Sequence, residues 1–429
     1  MEFHNHTLHE ATASLPADES WTNFYIVILF LYPIVCALLR NHRLRTTFET
    51  FPYTTRASFA SMTDTDAQQI QQIAAEIEFP FTFEKALQFA LFRSYGIPTI
   101  SKLLVATSQF SEPSTACKRY VDTELLISEF MGYKPTEERT REAIARMNYI
   151  HSGYRKSGKL LDDDMLYTLS LFVSEPVRWI NKYEWRKLED MELCALGTFW
   201  KSVGDAMEIS WEKLKSGTGG KEGTWKDGLQ WLEEVMEWSE QYEREYMVPN
   251  VNSMKTADET TTILLWGIPK SLKGVGKHFV SALMGDRLRN SMMYPKPPAY
   301  YFTLISTIFG IRKFILRHLS LPRPYFLRVH KVSDEPTKNG YYHTMNYVAA
   351  PYYHQPTIWA RWQPAAWYTW IMGLPLPGDE GNKYHPQGYK IPEVGPDKMS
   401  GRGHDFANGV VEQLRSTRSG GCIFAAKNG

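Results

Sequence analysis

Residues 146–155 read RMNYIHSGYR and place His151 and Arg155 four positions apart. In a helix this spacing puts both side chains on one face, beside the small residues Ser152 and Gly153. One imidazole is enough to hold haem iron, and an arginine one turn away could pair with a propionate. A lone helical histidine is more often a hydrogen-bonded structural residue, and Arg155 could equally be a surface charge. The residues alone leave both interpretations open.

The stretch KRYVDTELLISEF, residues 118–130, contains a second polar group on an otherwise apolar helix. Arg119, Asp122 and Thr123 share one face at helical spacing, and leucines and Phe130 occupy the rest. This arrangement indicates either an ordinary Arg–Asp surface pair or the polar wall of a pocket.

Other kinds of site lack their sequence signals. Beyond the N-terminal segment there is no histidine pair at i,i+4 and no Glu-x-x-His, and no Gly-x-Ser-x-Gly, Gly-x-Gly-x-x-Gly or Walker motif occurs. The four cysteines are widely spaced, which argues against a disulfide framework and favours a reducing compartment. A net charge of +1 over 429 residues argues against a nucleic-acid partner.

The N-terminus predicts a single transmembrane anchor at residues 22–39, Thr22 to Leu39, because these residues carry no charge. A cleaved signal peptide would need a basic region and a small-residue cleavage site, and both are missing. Residues 1–21 contain acids but no Lys or Arg, whereas Arg40, Arg43 and Arg45 follow the span. The positive-inside rule therefore places a lumenal tail at 1–21, with a glycosylation sequon at Asn5, and the rest of the chain in the cytosol.

Helical periodicity and stop signals dominate from residue 64 onward, and no convincing strand pattern occurs. We predict an all-α helical bundle whose catalytic domain spans residues 64–321. DTDAQQIQQIAAEIEF is predicted to begin with Asp caps, and Ser216–Gly223 to be a flexible connection. The apolar segment 299–321 is either a buried or an interfacial helix. Residues 322–429 form a predicted irregular extension rich in Pro, Tyr and Trp, which either packs on the core or contacts the membrane.

The ordered pair RxxxT (Arg119 to Thr123) and HxxxR (His151 to Arg155) resembles the catalytic domain of the mpaB and rubber oxygenase family, over roughly residues 80–320. The segment RMNYIHSGYRKSGKLLDDDMLYTLSLF is most similar to the mpaB branch. The resemblance implies a globin-like core with haem b, His151 as axial ligand of the iron, and Arg155 beside it. It places Arg119, Asp122 and Thr123 on the distal side as catalytic residues. Latex-clearing proteins have a lysine where this chain has Asp122, so the distal chemistry of the two groups is expected to differ.

The function implied by the resemblance is O₂-dependent oxidative cleavage of a C=C bond in a lipophilic, prenylated small molecule. In the mpaB branch this is the farnesyl chain of a meroterpenoid in mycophenolic acid biosynthesis, at the endoplasmic reticulum membrane. No protein partner is evident from the sequence. The alternatives are a membrane-anchored non-haem enzyme and a non-catalytic scaffold.

Overall fold

Helices make up the framework of this chain. A computed structural model describes residues 17–217, 224–347 and 349–424. Its helices are α1 Ala17–Thr50, α2 Asp64–Gln72, α3 Pro80–Ser94, α4 Pro98–Ala106, α5 Pro113–Gly132, α6 Glu138–Lys156, α7 Asp162–Tyr183, α8 Asp190–Ala206, α9 Gly228–Tyr246, α10 Val251–Leu264, α11 Lys273–Leu283, α12 Asp286–Ser291, α13 Tyr300–His318, α14 Ile358–Trp362, α15 Pro364–Ile371 and α16 His404–Thr417. Within these described residues no strand forms, and only three isolated β-bridges occur. The all-helical prediction is confirmed, whereas the globin-like haem core remains a prediction.

The N-terminal helix α1 contains the predicted span and continues beyond it to Thr50. It is the one helix in the described part of the chain that is long and apolar enough to cross a membrane, over Asn23–Thr50. The second half of the helix contacts the body of the protein: the Tyr32 hydroxyl donates to the Leu319 carbonyl and Arg40 Nε to the Ser320 carbonyl, both at 3.0 Å. Most of the predicted lumenal tail and the Asn5 sequon lie outside the described residues, as does most of the predicted connection 216–223.

Local signals explain several helix starts. The helices α3, α4 and α5 each begin at a proline, where the missing N–H costs nothing. The predicted Asp cap of α2 is wrong: the cap is Thr63, whose side chain accepts from the Asp66 amide. Asp64 is instead buried, and its carboxylate accepts hydrogen bonds from Ser202 and Arg418. This carboxylate compensates the positive charge of the buried Arg418 guanidinium.

The core lies among α2, α3, α7, α8 and α9, where α3 packs on α7 and α8 packs on both α2 and α9. Large aromatic side chains fill it, and Trp200 stacks on Phe172 with ring centroids 5.6 Å apart. Two glycines allow α8 and α9 to approach closely. A Cβ on Gly197 would lie 1.9 Å from the Gly228 carbonyl oxygen, so no larger residue fits at this crossing.

The C-terminal extension is irregular up to residue 357 and then forms the short helices α14 and α15 and the longer helix α16, which the sequence prediction did not include. It covers the bundle instead of forming a separate unit. Helix α16 packs on α6, and the turn at Ile391–Glu393 also contacts α6. The helix carrying His151 is therefore enclosed by residues far away in sequence.

The close crossing of α8 and α9 predicts that Gly197→Ala destabilises the protein by about 2 kcal/mol or more, because the methyl group would overlap backbone atoms. The control is Gly409→Ala in α16, where an added Cβ meets no atom within 4 Å. That change should stabilise by roughly 0.5–1 kcal/mol through helix propensity. Denaturant unfolding in detergent measures both, and equal effects would contradict the tight crossing.

Candidate active site

His151 lies in α6, one turn before its last turn, and is half-buried. Its Nδ1 atom is buried and has no hydrogen-bond partner among the described residues. Burial, together with the positive charges of Arg119 and Arg155, lowers the pKa of His151 to about 4. The imidazole is therefore neutral near pH 7, which is the form that binds a metal.

Asp122 is completely buried on α5 and is surrounded by donors. Lys118 Nζ lies 3.0 Å and Arg119 Nη1 3.3 Å from Oδ2, and the hydroxyl of Tyr353 donates to Oδ1 at 2.8 Å. Lys118 also donates to the Gly395 carbonyl at 2.9 Å. Both carboxylate oxygens thus have partners, and two of the partners are cations.

Arg119 and Thr123 differ in how their hydrogen-bonding groups are used. Arg119 Nε is buried and has no partner in the part of the chain that the structure describes, so this guanidinium retains an unused donor. The hydroxyl of Thr123 donates to the Arg119 carbonyl at 2.9 Å, one turn back in its own helix. Thr123 also lines a cavity on the other side of α5. The predicted polar face is therefore divided: Arg119 and Asp122 form an ion pair, and Thr123 borders the cavity.

The guanidinium of Arg155, in the last turn of α6, binds backbone carbonyls. Its guanidinium donates to the carbonyls of Met207 at 3.0 Å and Glu208 at 2.9 Å, and to Asp162 at 3.1 Å. These contacts tie the last turn of α6 to the end of α8. The guanidinium still lies close enough to His151 to affect the pKa of that residue. Its predicted pairing with a propionate remains a prediction.

Two buried polar atoms, Arg119 Nε and His151 Nδ1, have no partner among the described residues, which is unusual in folded proteins and is a feature of sites completed by water or a bound group. Arg119 acts electrostatically on His151, so these two side chains lie near one another. A neutral imidazole and an arginine with an unused donor fit a haem, which needs an axial ligand and cations for its propionates.

No group of three or more His, Cys, Asp or Glu side chains that could hold a bare metal ion occurs in the part of the chain that the structure describes.

A cavity on the opposite side of α5 encloses about 960 Å³, counting the part open to solvent. Phe83, Leu87, Leu91, Ile127 and Phe172 supply apolar walls. Polar groups line the remainder. Gln71 is 1% exposed, and neither atom of its amide has a partner within the described chain. The cavity thus combines an apolar wall with a hydrogen-bonding group that can both donate and accept.

Glu76 lies on the rim of this cavity. Burial raises the pKa of Glu76 to about 7, although a hydrogen bond from Gln72 and the charge of Arg328 act in the opposite direction. This carboxyl group is consequently half-protonated near neutral pH. Sequence patterns gave no indication of it, because its environment comes from residues 328–334 packing over the turn Ile73–Glu78.

The cluster around Asp122 contains two residues that sequence reasoning missed. Lys118 precedes Asp122 by one helical turn, and this i,i+4 spacing was visible in the sequence. Tyr353 comes from the extension, 231 positions away, and no local signal could have identified it.

Comparison with known proteins gives clear relatives, although no protein-family model matches the chain. It is 47% identical over 418 residues to the ER-bound oxygenase mpaB′ of Penicillium brevicompactum, which covers 97% of this chain and 98% of that protein. It is 46% identical over 382 residues to the ER-bound oxygenase mpaB of the same species, covering 89% and 90%. The mpaB of Penicillium roqueforti (strain FM164) is 50% identical over 274 residues, 64% of this chain and 91% of that protein.

These likenesses, with the all-helical fold and the apolar N-terminal helix, define an oxidoreductase of the membrane-bound oxygenase class. The chain belongs to the ER-bound oxygenase mpaB family. The resemblance inferred from the RxxxT and HxxxR motifs is confirmed. The roles of Arg119, Asp122, Thr123, His151 and Arg155 stay predictions.

The geometry around Asp122 predicts that Tyr353→Phe destabilises the protein by about 1–3 kcal/mol, because a buried carboxylate oxygen loses its donor. Tyr352→Phe is the matched control: the neighbouring ring is also buried, and its hydroxyl has no hydrogen bond within the described residues. Denaturation midpoints in detergent compare the two variants. Equal losses would mean that the Tyr353 hydroxyl does not support Asp122.

The raised pKa of Glu76 predicts a pH-dependent effect of Glu76→Gln. Below about pH 4.5 the carboxyl is protonated in both folded and unfolded chains, so the two proteins should be similarly stable. Between about pH 4.5 and 7 the unfolded chain ionises while the folded carboxyl keeps its proton, so the wild type loses stability that the amide does not lose. The variant should therefore be more stable than the wild type by about 3 kcal/mol near pH 8, where this loss is complete.

Unfolding curves at several pH values measure this difference, with Glu245→Gln at an exposed site as the control. A stability difference that stays constant with pH would rule out ionisation of Glu76 as its source.

Proposed function

We propose that this protein is a haem-dependent oxygenase of the ER membrane that uses O₂ to cleave a C=C bond in the prenyl side chain of a meroterpenoid, as in mycophenolic acid biosynthesis. The observation that carries the proposal is His151, a neutral imidazole whose buried Nδ1 has no partner among the residues described. The names of the relatives support the oxygenase class.

The residues that would hold a haem have different tasks. His151 would bind the iron, and the unused Nε–H of Arg119 would be available to a propionate. Arg155 would hold the last turn of α6, and hence His151, through its bonds to the Met207 and Glu208 carbonyls. When bound, haem b would supply the iron that activates O₂.

The overall reaction balances without a further reductant. O₂ adds one oxygen atom to each alkene carbon as the C=C bond breaks, which leaves two carbonyl groups. The chain contributes a fixed set of proton donors and charges around Asp122. Lys118 provides, one turn earlier on α5, an ammonium like that which latex-clearing proteins have at the position of Asp122. Asp122 holds this ammonium in place, and with Tyr353 it can relay a proton across α5.

The cavity beside α5 fits a prenylated substrate. Its apolar wall suits an isoprenoid chain, and the unpartnered amide of Gln71 suits the oxygen atoms of an aromatic head group. Thr123 connects the cavity with the turn of α5 that carries Arg119 and Asp122. The substrate would therefore lie against the same helix as the proposed catalytic cluster.

The cavity also lies near the membrane anchor. Arg43, just beyond the span, forms an ion pair with Glu78 at 2.5 Å, in the same turn as Glu76 on the cavity rim. The opposite rim, Arg328 to Asp334, follows closely on residues that contact α1. A farnesylated aromatic partitions into lipid, so an opening at this place would receive it directly from the bilayer.

The cofactor prediction is tested by absorption spectroscopy of the full chain in detergent. The wild type should show a Soret band, and His151→Ala should lose it because the iron loses its ligand. His278→Ala, which changes a half-buried histidine against Tyr301, should keep the band. A folded wild type that stays colourless after reconstitution with haemin would contradict haem dependence and leave the non-haem enzyme as the better account.

The catalytic prediction concerns Asp122→Asn. Haem should remain, since Asp122 does not ligate it, whereas conversion of a farnesylated phenol under O₂ should fall about 10–100-fold because the ion-pair cluster is lost. Asp405→Asn, at an exposed site of α16, is the control. Product analysis by mass spectrometry should detect the shortened carbonyl fragment. Unchanged turnover would make Asp122 a structural residue, and absence of cleavage by haem-loaded wild type would refute the proposed reaction.

A further inference from the structure

Helix α13 is apolar on its outer side as well as on its inner side. Tyr301, Ile305 and Phe309 are buried against the body of the protein. An outer stripe at helical spacing is exposed and consists of Tyr300, Leu304, Ile308, Ile311, Phe314 and Ile315. A helix that is apolar all round normally lies within a core or a membrane. The outer stripe is therefore expected to be covered by lipid or by another protein surface.

The exposed apolar surface continues beyond α13. After the helix, the side chains of Tyr325, Phe326 and Leu327 are 66%, 82% and 53% exposed. The helices α14 and α15 add a second group, composed of Ile358, Trp359, Trp362, Trp367, Trp370 and Ile371. This group is joined to the first, because the Tyr368 hydroxyl donates to the Gly267 carbonyl at 2.7 Å, just before α11, and α11 packs on α13. We call this surface the apolar face.

The anchor helix fixes the position of the apolar face. The Tyr32 hydroxyl donates to the Leu319 carbonyl at 3.0 Å, and Arg40 donates to Ser320. Tyr32 lies seven residues before Leu39, the last uncharged residue of the span, which is roughly 10 Å along a helix. The end of α13 therefore contacts the anchor at a depth that belongs to the bilayer.

The charge distribution around the apolar face is strongly one-sided. Residues 265–321 contain nine Lys or Arg and a single acid, Asp286. Lys270, Lys273, Lys277 and Lys313 have no carboxylate within 4 Å in the described part of the chain. Long basic side chains beside exposed Trp and Tyr are typical of protein surfaces in the headgroup region, where cations meet lipid phosphates.

We infer that the apolar face is a second membrane-binding site, which inserts into the headgroup and upper acyl region of an anionic phospholipid bilayer beside α1. The inference rests on α1 as the anchor and does not depend on the reaction catalysed. It assigns an interfacial position both to segment 299–321 and to the Trp-rich part of the extension. A second copy of the chain is a poorer occupant, because α1 brings the bilayer itself to the end of α13.

The experiment uses the full chain in nanodiscs that contain phospholipids with nitroxide quenchers on their acyl chains. Single cysteines carrying a fluorophore are introduced as Phe314→Cys on α13 and Trp370→Cys on α15, and the labelled wild type supplies the background from the native cysteines. The control is Phe406→Cys, an exposed aromatic position on α16, which packs on α6. Quenching should be several-fold stronger at positions 314 and 370 than at 406.

A triple charge reversal, Lys270→Glu, Lys273→Glu and Lys277→Glu, should reduce quenching at position 370 in anionic nanodiscs while α1 remains inserted. Quenching at 314 and 370 no stronger than at 406 would overturn the inference. Crosslinked dimers in which these positions are shielded and not quenched would overturn the inference and would indicate that a second copy of the chain covers the apolar face. Neither outcome depends on haem content or turnover, so failure here leaves the proposed oxygenase activity standing.

Discussion

Compensation of buried charge on α5 and α6 is the constraint on which the rest of the structure depends. Asp122 and Glu129 are both completely buried on α5, and an unpaired charge in such a place costs several kcal/mol. Glu129 receives two bonds from Arg139 of α6 and one from the Tyr389 hydroxyl. Asp122 accepts a hydrogen bond from the Tyr353 hydroxyl in the same way. Both tyrosines come from the C-terminal extension. The buried carboxylates of α5 therefore have all their hydrogen-bond donors only when the extension is packed against the helices.

The same dependence operates through backbone carbonyls. Arg146 of α6 is 1% exposed and donates to the carbonyls of Val394, Met399 and Arg402. Three carbonyl acceptors satisfy its donors and join α6 to the extension. Burial and the charges of Arg119 and Arg155 keep His151 neutral, while Tyr353 of the extension donates to Asp122. The extension therefore contributes to the chemistry of the site as well as to its stability.

Sequence patterns predicted the helices better than they predicted the surroundings of individual side chains. Periodicity and proline signals located α5 and α6, because these signals are local, and the HxxxR and RxxxT spacings placed Arg119 and His151 on helices that do meet. The patterns could not predict which distant element would contact these helices. Arg155 was expected to face a cofactor, yet it holds the Met207 and Glu208 carbonyls, because α8 ends beside it. Contacts of this kind are set by the packing of distant elements.

Helix α5 connects the separate features of the molecule. Its one side carries Asp122 and Arg119 toward α6, and its other side lines a cavity with apolar walls. Arg43 of α1 pairs with Glu78, in the same turn as the lining residue Glu76, and α1 also contacts the end of α13 beside the apolar face. Under the proposed function, a lipophilic substrate would pass from the anchor and the apolar face to the cavity and then to the polar cluster, an order that would shorten its exposure to solvent.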